Sequence, residues 1–427
     1  MSTGNDDVQS IEPIRELDAG VDAPPSKAHT LRGLFIASLA AGRSTLSNAL
    51  HAEDQQHAAR ALSSFGADVH YKDGDFEVNG VDHQPRTPDN TVYTGQSGVT
   101  SRFILPIAAL APGRTRIDAD EQMRTRPMGD LVDALRMAGV QLSSNDGCLP
   151  IDVEGNTWTK HRLTVSVRES SQYLSALLIA APAVDGGLTV EIDGELRSSP
   201  YVTMTERVMS SFGARVEHPD PQTYHVPDEA SYEAQPFSVE GDYSSASYFM
   251  AAAAVTGGHV RVNNLQRDSV QGDRAITRLL SDMGCDISWT DDGVSVTGGD
   301  LNGITADMSN IPDLVPTVAV VASFAEGTTR IENVGHLAYK ESDRLQSISH
   351  NLTACGIEHE VTDTALEIQG SQPGPATIDP FGDHRIAMAF AVAGLAVPGI
   401  SIADPHVVAK SFPGFFEALD TLYVSSP

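Results

Sequence analysis

Lysine is almost missing from this chain of 427 residues, occurring only at Lys27, Lys72, Lys160, Lys340 and Lys410. Basic charge as a whole is scarce: 28 Lys and Arg stand against 57 Asp and Glu, for a formal net charge of −29. That excludes a duplex nucleic-acid partner, because neutralising phosphates needs clustered Lys and Arg. An acidic, lysine-poor surface points instead to solvation in a salty cytoplasm and to an acidic proteome. Cysteine is rare too. Cys148, Cys285 and Cys355 are too widely spaced for a disulfide framework or a CxxC site, and no metal is expected. Cys285 and Cys355 each adjoin a repeating glycine, which marks them as small core residues. The longest apolar run, residues 386–397, is rich in small side chains and stays well short of a membrane span. The N-terminus is acidic and polar, without the basic and apolar regions of a signal segment. The expectation is a cytoplasmic protein with no membrane partner.

What the chain does have is a repeat. Its length is too great for one ordinary core, so two domains of about 200 residues are expected. In six places an apolar helical stretch runs to a glycine and a short β-rich stretch follows. These glycines are Gly42, Gly113, Gly187, Gly258, Gly327 and Gly399, spaced by 69 to 74 residues. A second series, Gly66, Gly139, Gly213, Gly284 and Gly356, lies between them. A glycine ending a helix takes the left-handed conformation without strain, so each unit reads helix, strand, helix, strand. The sixth unit lacks its second half, and the stretch before Pro24 lacks a first half. The N-terminal stretch is therefore expected to complete the second domain, giving three units per domain. One domain would combine residues 1–24 with 237–427, and the other would be an insert over 25–236. The chain would cross between them twice, a geometry suited to a hinge.

Sixteen residues before each first-series glycine stands a helix start: Ser26, Ser97, Ser171, Asp242, Ile311 and Asp383. Ser and Asp cap exposed backbone N–H groups, and Ile311 precedes Pro312, which is favoured in a first helical turn. Equivalent helices should point the same way, so their N-termini would gather on one face of each domain and attract anions. Stability alone accounts for good caps. It does not account for the cations beside them: Lys27 and Arg32, Arg102 after Gly98, Arg124 and Arg126, Lys340 and Arg344, Arg385 next to His384, and Lys410. Three of the five lysines fall in these motifs, which favours a small polyanionic ligand.

The motifs SKxxxxR at 26–32, QSG at 96–98, RPM at 126–128, SSQYL at 170–174, IPD at 311–313, YKESDRL at 339–345, DHRIAM at 383–388 and AKSFPGFF at 409–416 form a specific set. Together they resemble the EPSP synthase family of enolpyruvyl transferases over essentially the whole chain. The resemblance implies an α/β fold: a two-domain inside-out α/β barrel, each domain three βαβαββ repeats, closing over the substrates. It implies transfer of the carboxyvinyl group of phosphoenolpyruvate to the 5-hydroxyl of shikimate 3-phosphate, a step of the shikimate pathway towards chorismate and aromatic amino acids. It implies no cofactor, and the expected assembly is a monomer.

Such a reaction protonates the methylene carbon of phosphoenolpyruvate, stabilises cationic character at C2 and deprotonates the acceptor hydroxyl, after which phosphate leaves. It needs fixed cations for a carboxylate and two phosphates, a carboxylate beside the hydroxyl and an acid beside the methylene. Asp313 and Glu341, at or near helix starts, are the candidate carboxylates. By resemblance, phosphoenolpyruvate would be held by Lys27, Gly98, Arg126, Gln172, Arg344, Arg385 and Lys410. The acceptor would be held by Arg32, Ser170, Ser171, Ser198, Tyr201, Asp313, His336 and Lys340. Lys27, Asp313, Glu341 and His384 would share the proton transfers, with acid and base left unassigned. Taken singly, Ser170 and Ser171 read equally as caps, Tyr201 as a packing residue and His384 as structural.

The chain departs from the family pattern at Ala28, usually Ser; at 96–99, usually Asn-Ala-Gly-Thr and here Gln-Ser-Gly-Val; and at His336, commonly Asn. These positions lie mostly on the acceptor side, so a paralogue serving another phosphorylated alcohol stays open as an alternative. The sister enzyme acting on UDP-N-acetylglucosamine typically carries a reactive Cys in a substrate loop, and none of the three Cys here fits. A non-catalytic binding module is the remaining alternative, against which stand Lys27, Asp313, Glu341 and Lys410.

Overall fold

The structure, a computed structural model, describes residues 8–423, so the first seven residues of the N-terminal stretch lie outside it. The chain divides into two compact units, Pro25–Val239 and Met1–Pro24 with Glu240–Pro427.

One plan recurs in both units, and the repeat opened by Val92–Tyr93 shows it. The helix Gly98–Leu110 carries the chain across to Gly113–Asp118, which pairs parallel with Val92–Tyr93. A parallel pair requires such a crossover, whereas neighbouring antiparallel strands need only a tight turn. The helix Gly129–Met137 then leads into the hairpin Gln141–Asn145 and Cys148–Gly155, which adds antiparallel to Gly113–Asp118. The repeat opened by Arg162–Ser166 follows the same order. In the remaining repeat of this unit the opening strand comes from far along the chain: Pro236–Ser238 pairs parallel with Arg43–Ser47. That strand carries the unit to Val239, three residues past the boundary read from the repeat spacing.

The other unit draws on the N-terminal stretch twice. Asp18–Asp22 pairs parallel with His259–Asn263 and opens one repeat. Val8–Ser10 pairs antiparallel with Ile400–Ala403 and completes the three-stranded sheet whose third member is Ala376–Ile378. The middle sheet runs Thr305–Asp307, Thr328–Glu332, Leu366–Gln369, His359–Val361.

The first helix of each repeat is buried on nearly every side. In Lys27–Leu39 everything from His29 onward is buried, and in His384–Gly394 every residue is. Beyond the charged and polar residues near their starts, these helices are apolar or small all round, the composition of a helix with no solvent face. They form the inside of each unit with the sheets outside, an inside-out α/β barrel. The second helices are amphipathic: Glu53–Ser64 buries only Asp54, Gln55, Ala58, Ala61 and Leu62.

The two glycine series have different jobs. Those of the second series directly follow a helix C-cap at positive φ, as Gly139 does after Ala138. The first series sits in the turn between helix end and strand, not at the helix end itself: Lys27–Leu39 stops before Gly42. At the fourth member it is Gly257, not Gly258, that takes the left-handed conformation. The helix starts need a similar correction. Ser26, Ser97, Asp242 and Asp383 accept from the N–H of His29, Thr100, Ser245 and Arg385. Ser171 makes no cap bond, its place being taken by Ser170, whose Oγ accepts from Gln172 N at 3.2 Å. Ile311 opens a 3-10 turn, Pro312–Leu314, before the helix Val315–Ser323. Cys285 and Cys355 are core residues, and burial pushes each thiol up to about 11. Among the described residues no helix is long and apolar enough to cross a membrane.

Candidate active site

The unit Pro25–Val239 holds its candidates at helix starts. Lys27, first residue of its helix, is fixed by a 2.6 Å ion pair with the buried Asp54, while Gln55 Nε2 donates to the Lys27 carbonyl. Asp54 and Gln55 lie in the first turn of the amphipathic helix, which thus sets where the ammonium points. Gly98 lies against Arg126: a Cβ there would sit 2.6 Å from Arg126 Nη1 and 3.3 Å from Arg102 Nη1. The absent side chain is what lets two guanidinium groups approach a helix N-terminus, which makes that spot a strong anion attractor. Arg102 in turn donates to Gln172 Oε1 at 2.7 Å and so orients that amide. Arg124, two residues from Arg126, is spent elsewhere in a two-pronged pair with Asp118, both bonds 2.8 Å.

Ser170, Ser171, Ser198 and Tyr201 also flank helix starts in this unit. Ser198 is held at φ 55, a strained conformation for Ser, just before Ser199–Ser211. Arg32 is placed differently from an open ligand contact. It is 2% exposed, and its nitrogens donate to Thr205 Oγ1, Ala28 O and Tyr201 O at 2.8 to 3.0 Å. Burial pulls its pKa down to about 10, which leaves it cationic at neutral pH. Its guanidinium lies 5.7 Å from the Tyr201 ring centre, so it braces the turn that carries Ser198 and Tyr201.

In the other unit the candidates form one network around Arg344. Its Nε donates to Asp383 at 2.7 Å, Nη1 to Asp313 at 2.7 Å and Nη2 to Glu341 at 2.6 Å. Arg385 Nη2 reaches the other Asp313 oxygen at 3.0 Å, and Lys410 Nζ lies 3.8 Å from Glu341 Oε1. Burial works against the Arg344 charge, but Asp383, Glu341 and Asp313 outweigh it and raise its pKa. Burial likewise pushes the Asp313 carboxyl up, and Arg385, Arg344 and Lys340 overcome this to hold it well below the usual carboxylate range. Asp313 is thus biased strongly towards its charged form. His384 is buried with Nδ1 3.8 Å from Asp383, and His336 is buried in the turn Gly335–Tyr339. Among the described residues no group of three or more His, Cys, Asp or Glu is placed to hold a metal ion.

Three residues that share these sites were passed over in the sequence, Asp54 behind Lys27, Tyr248 beside Arg385 and Asp273 near Asp313, and a fourth, Asp383, was read as a cap and is an ion partner as well. A signal for two of them exists. Gly-Asp precedes or opens a helical segment at 241–242, 272–273 and 382–383, and Asp273 is the member of that set with no cap to form.

The fold is that of the enolpyruvyl transferases. It matches EPSP synthase from Acinetobacter baumannii with a TM-score of 0.82 at 24% identity, covering 97% of this chain and 98% of that one. It also matches the enolpyruvyl transferase NikO from Streptomyces tendae with a TM-score of 0.78 at 20% identity, covering 97% of each. Sequence separates what the fold alone leaves together. The family model for EPSP synthase (3-phosphoshikimate 1-carboxyvinyltransferase) matches residues 11–419, and the chain belongs to that family. It is 41% identical to the 3-phosphoshikimate 1-carboxyvinyltransferase of Syntrophobacter fumaroxidans over 97% of this chain and 99% of that protein. The corresponding enzyme of Methanothermobacter thermautotrophicus is 40% identical over 96% of this chain and 97% of its own length.

Proposed function

We propose that this chain transfers the enolpyruvyl group of phosphoenolpyruvate to the 5-hydroxyl of shikimate 3-phosphate and releases phosphate. The carrying observation is the Arg344 network, which holds one carboxylate, Asp313, in its charged form and a second, Glu341, against two cations. In the addition step the acceptor hydroxyl attacks C2 of phosphoenolpyruvate and a proton is delivered to C3. In the elimination step C3 loses a proton, the double bond re-forms and phosphate leaves C2. Asp313, held charged, suits the first role: it accepts the hydroxyl hydrogen bond, and takes the proton as C–O bond formation makes that hydroxyl strongly acidic. Lys27, Glu341 and His384 serve the transfers at C3 and to phosphate.

In Pro25–Val239, Lys27 and Arg126 neutralise phosphoenolpyruvate, with Gly98 and Gln172 shaping the anion site there, and in the other unit Arg344, Arg385 and Lys410 supply cations for the same ligand. Ser170, Ser171, Ser198, Tyr201, Lys340 and His336 serve the phosphorylated acceptor, with Arg32 bracing the turn that carries Ser198 and Tyr201. No cofactor is required, because the chemistry is proton transfer and charge stabilisation throughout. The protein works as a cytoplasmic monomer, which cell fractionation and equilibrium sedimentation test.

The decisive assay mixes purified protein with phosphoenolpyruvate and shikimate 3-phosphate at high salt. Phosphate release that needs both substrates, with the enolpyruvyl ether seen by mass spectrometry, is the expected result. Binding of phosphoenolpyruvate without release would reject this acceptor and move the search to other phosphorylated alcohols, with Ala28, Gln96 and His336 as the positions to follow.

A further inference from the structure

Asp273 sits in the short 3-10 segment Gly272–Ala275, with only 3% of its surface exposed. The Ser244 hydroxyl donates to its Oδ2. Among the described residues no donor reaches Oδ1. A buried carboxylate satisfied on one oxygen alone is costly, whereas a neutral carboxyl asks for less and its O–H can donate back to Ser244 Oγ. The charged groups that face it come from three neighbouring segments: Asp242 at the start of Tyr243–Thr256, Asp313 in Pro312–Leu314 and Arg385 in His384–Gly394. Burial first, then Asp313, push the Asp273 carboxyl up, and Arg385 and the Ser244 bond only partly oppose them, leaving it near 7. At Asp313 the same Arg385, joined by Arg344 and Lys340, outweighs burial, so that carboxyl ends on the other side of its ordinary range. Two carboxyl groups near one shared cation have divided the roles, one keeping its charge and the other its proton.

We propose that Asp273 is a positioning residue for enolpyruvyl transfer, leaving the Arg385 charge to Asp313 and phosphoenolpyruvate while neutral and drawing it away once ionised. This rests on the function proposed above. Asp273 touches no substrate in this scheme and acts through Arg385, whose Nη2 lies 3.0 Å from Asp313. Neutral Asp273 is the form that binds the donor tightly, so affinity for phosphoenolpyruvate declines as pH rises through the Asp273 transition.

The test measures KM for phosphoenolpyruvate from pH 6 to 8.5, at constant ionic strength, in the unmodified enzyme, Asp273→Asn and Ser244→Ala. Phosphoenolpyruvate titrates identically in all three and cancels in the ratio of KM values. The ratio of unmodified enzyme to Asp273→Asn should be flat below pH 7 and climb by about tenfold per pH unit above it. Ser244→Ala removes a hydrogen bond that favours the charged form, so its climb should begin at higher pH. A ratio constant across the range overturns the proposal. If Asp273→Asn fails to fold, an unshifted profile in Ser244→Ala overturns it. Infrared spectra give a readout that needs no turnover: the carbonyl band of a protonated carboxyl, present at pH 6 and lost by pH 8.5, should be missing in Asp273→Asn. A band that titrates in a protein that never releases phosphate sinks the functional reading and this proposal with it. Phosphate release without that band sinks the proposal alone.

Discussion

Arg344 shows how one side chain organises a site without being its reactive group. Three of its N–H bonds are taken by Asp383, Asp313 and Glu341, and removing one partner of such a buried pair costs about 3–5 kcal/mol. Glu341→Gln keeps the shape but removes the charge that faces both Arg344 and Lys410. If Glu341 moves a proton, steady-state kinetics should show kcat falling by about 100-fold or more with KM nearly kept. Near-normal turnover would remove it from the chemistry. Gly98→Ala probes binding instead. The new Cβ would lie 2.6 Å from Arg126 Nη1, so the guanidinium must shift, and KM for phosphoenolpyruvate should rise by about tenfold or more with a smaller change in kcat. Lysine scarcity made Lys27, Lys340 and Lys410 legible in the sequence. What opposes the cations was not legible, because the pairing is long-range: Arg344 meets Asp383 across 39 positions, and Arg385 meets Asp313 across 72. An acidic chain offers too many carboxylates for sequence alone to choose those partners.

At the scale of elements, a third glycine series does work that periodicity did not reveal. Gly80, Gly155, Gly298 and Gly370 each lie at or just past the end of a hairpin's second strand, where it meets the last carbonyls of the buried helix. A Cβ at Gly155 would stand 1.7 Å from Ala111 O, and one at Gly370 would stand 1.8 Å from Ala325 O. Here the demand is steric: the outer sheet can press on the inner helix only where no side chain intervenes. The obstacle is backbone, which cannot rotate away, so Gly155→Ala should destabilise its unit by about 3 kcal/mol or more. Urea unfolding measures this, and an unchanged midpoint would mean that sheet and helix part without penalty. The other two glycine series were visible because each ends an apolar run. This one ends strands of ordinary appearance, and only the packing identifies it.

The whole molecule has a formal net charge of −29, and its surface handles the imbalance in two ways. Arginines on the sheet exteriors face acids across strands, as in Arg116 with Asp152 at 2.9 Å, Arg162 with Glu191, and Arg330 with Glu367. Such exposed pairs contribute about 0–1 kcal/mol each and weaken in salt. The unpaired excess of acids repels itself over longer distances. Raising ionic strength from 0.1 to 1 M shortens the screening length from about 10 Å to about 3 Å, which suppresses that repulsion more than contacts below 3 Å. Net repulsion should therefore dominate, and the midpoint of thermal unfolding should climb between 0.1 and 1 M KCl. A gain of about 2 kcal/mol corresponds to roughly 4–8 °C for a unit of this size. Calorimetry in KCl and in tetramethylammonium chloride separates screening from specific cation binding. Equal shifts identify screening, a shift confined to KCl identifies bound potassium, and a midpoint that falls in both would show that the surface ion pairs outweigh the repulsion.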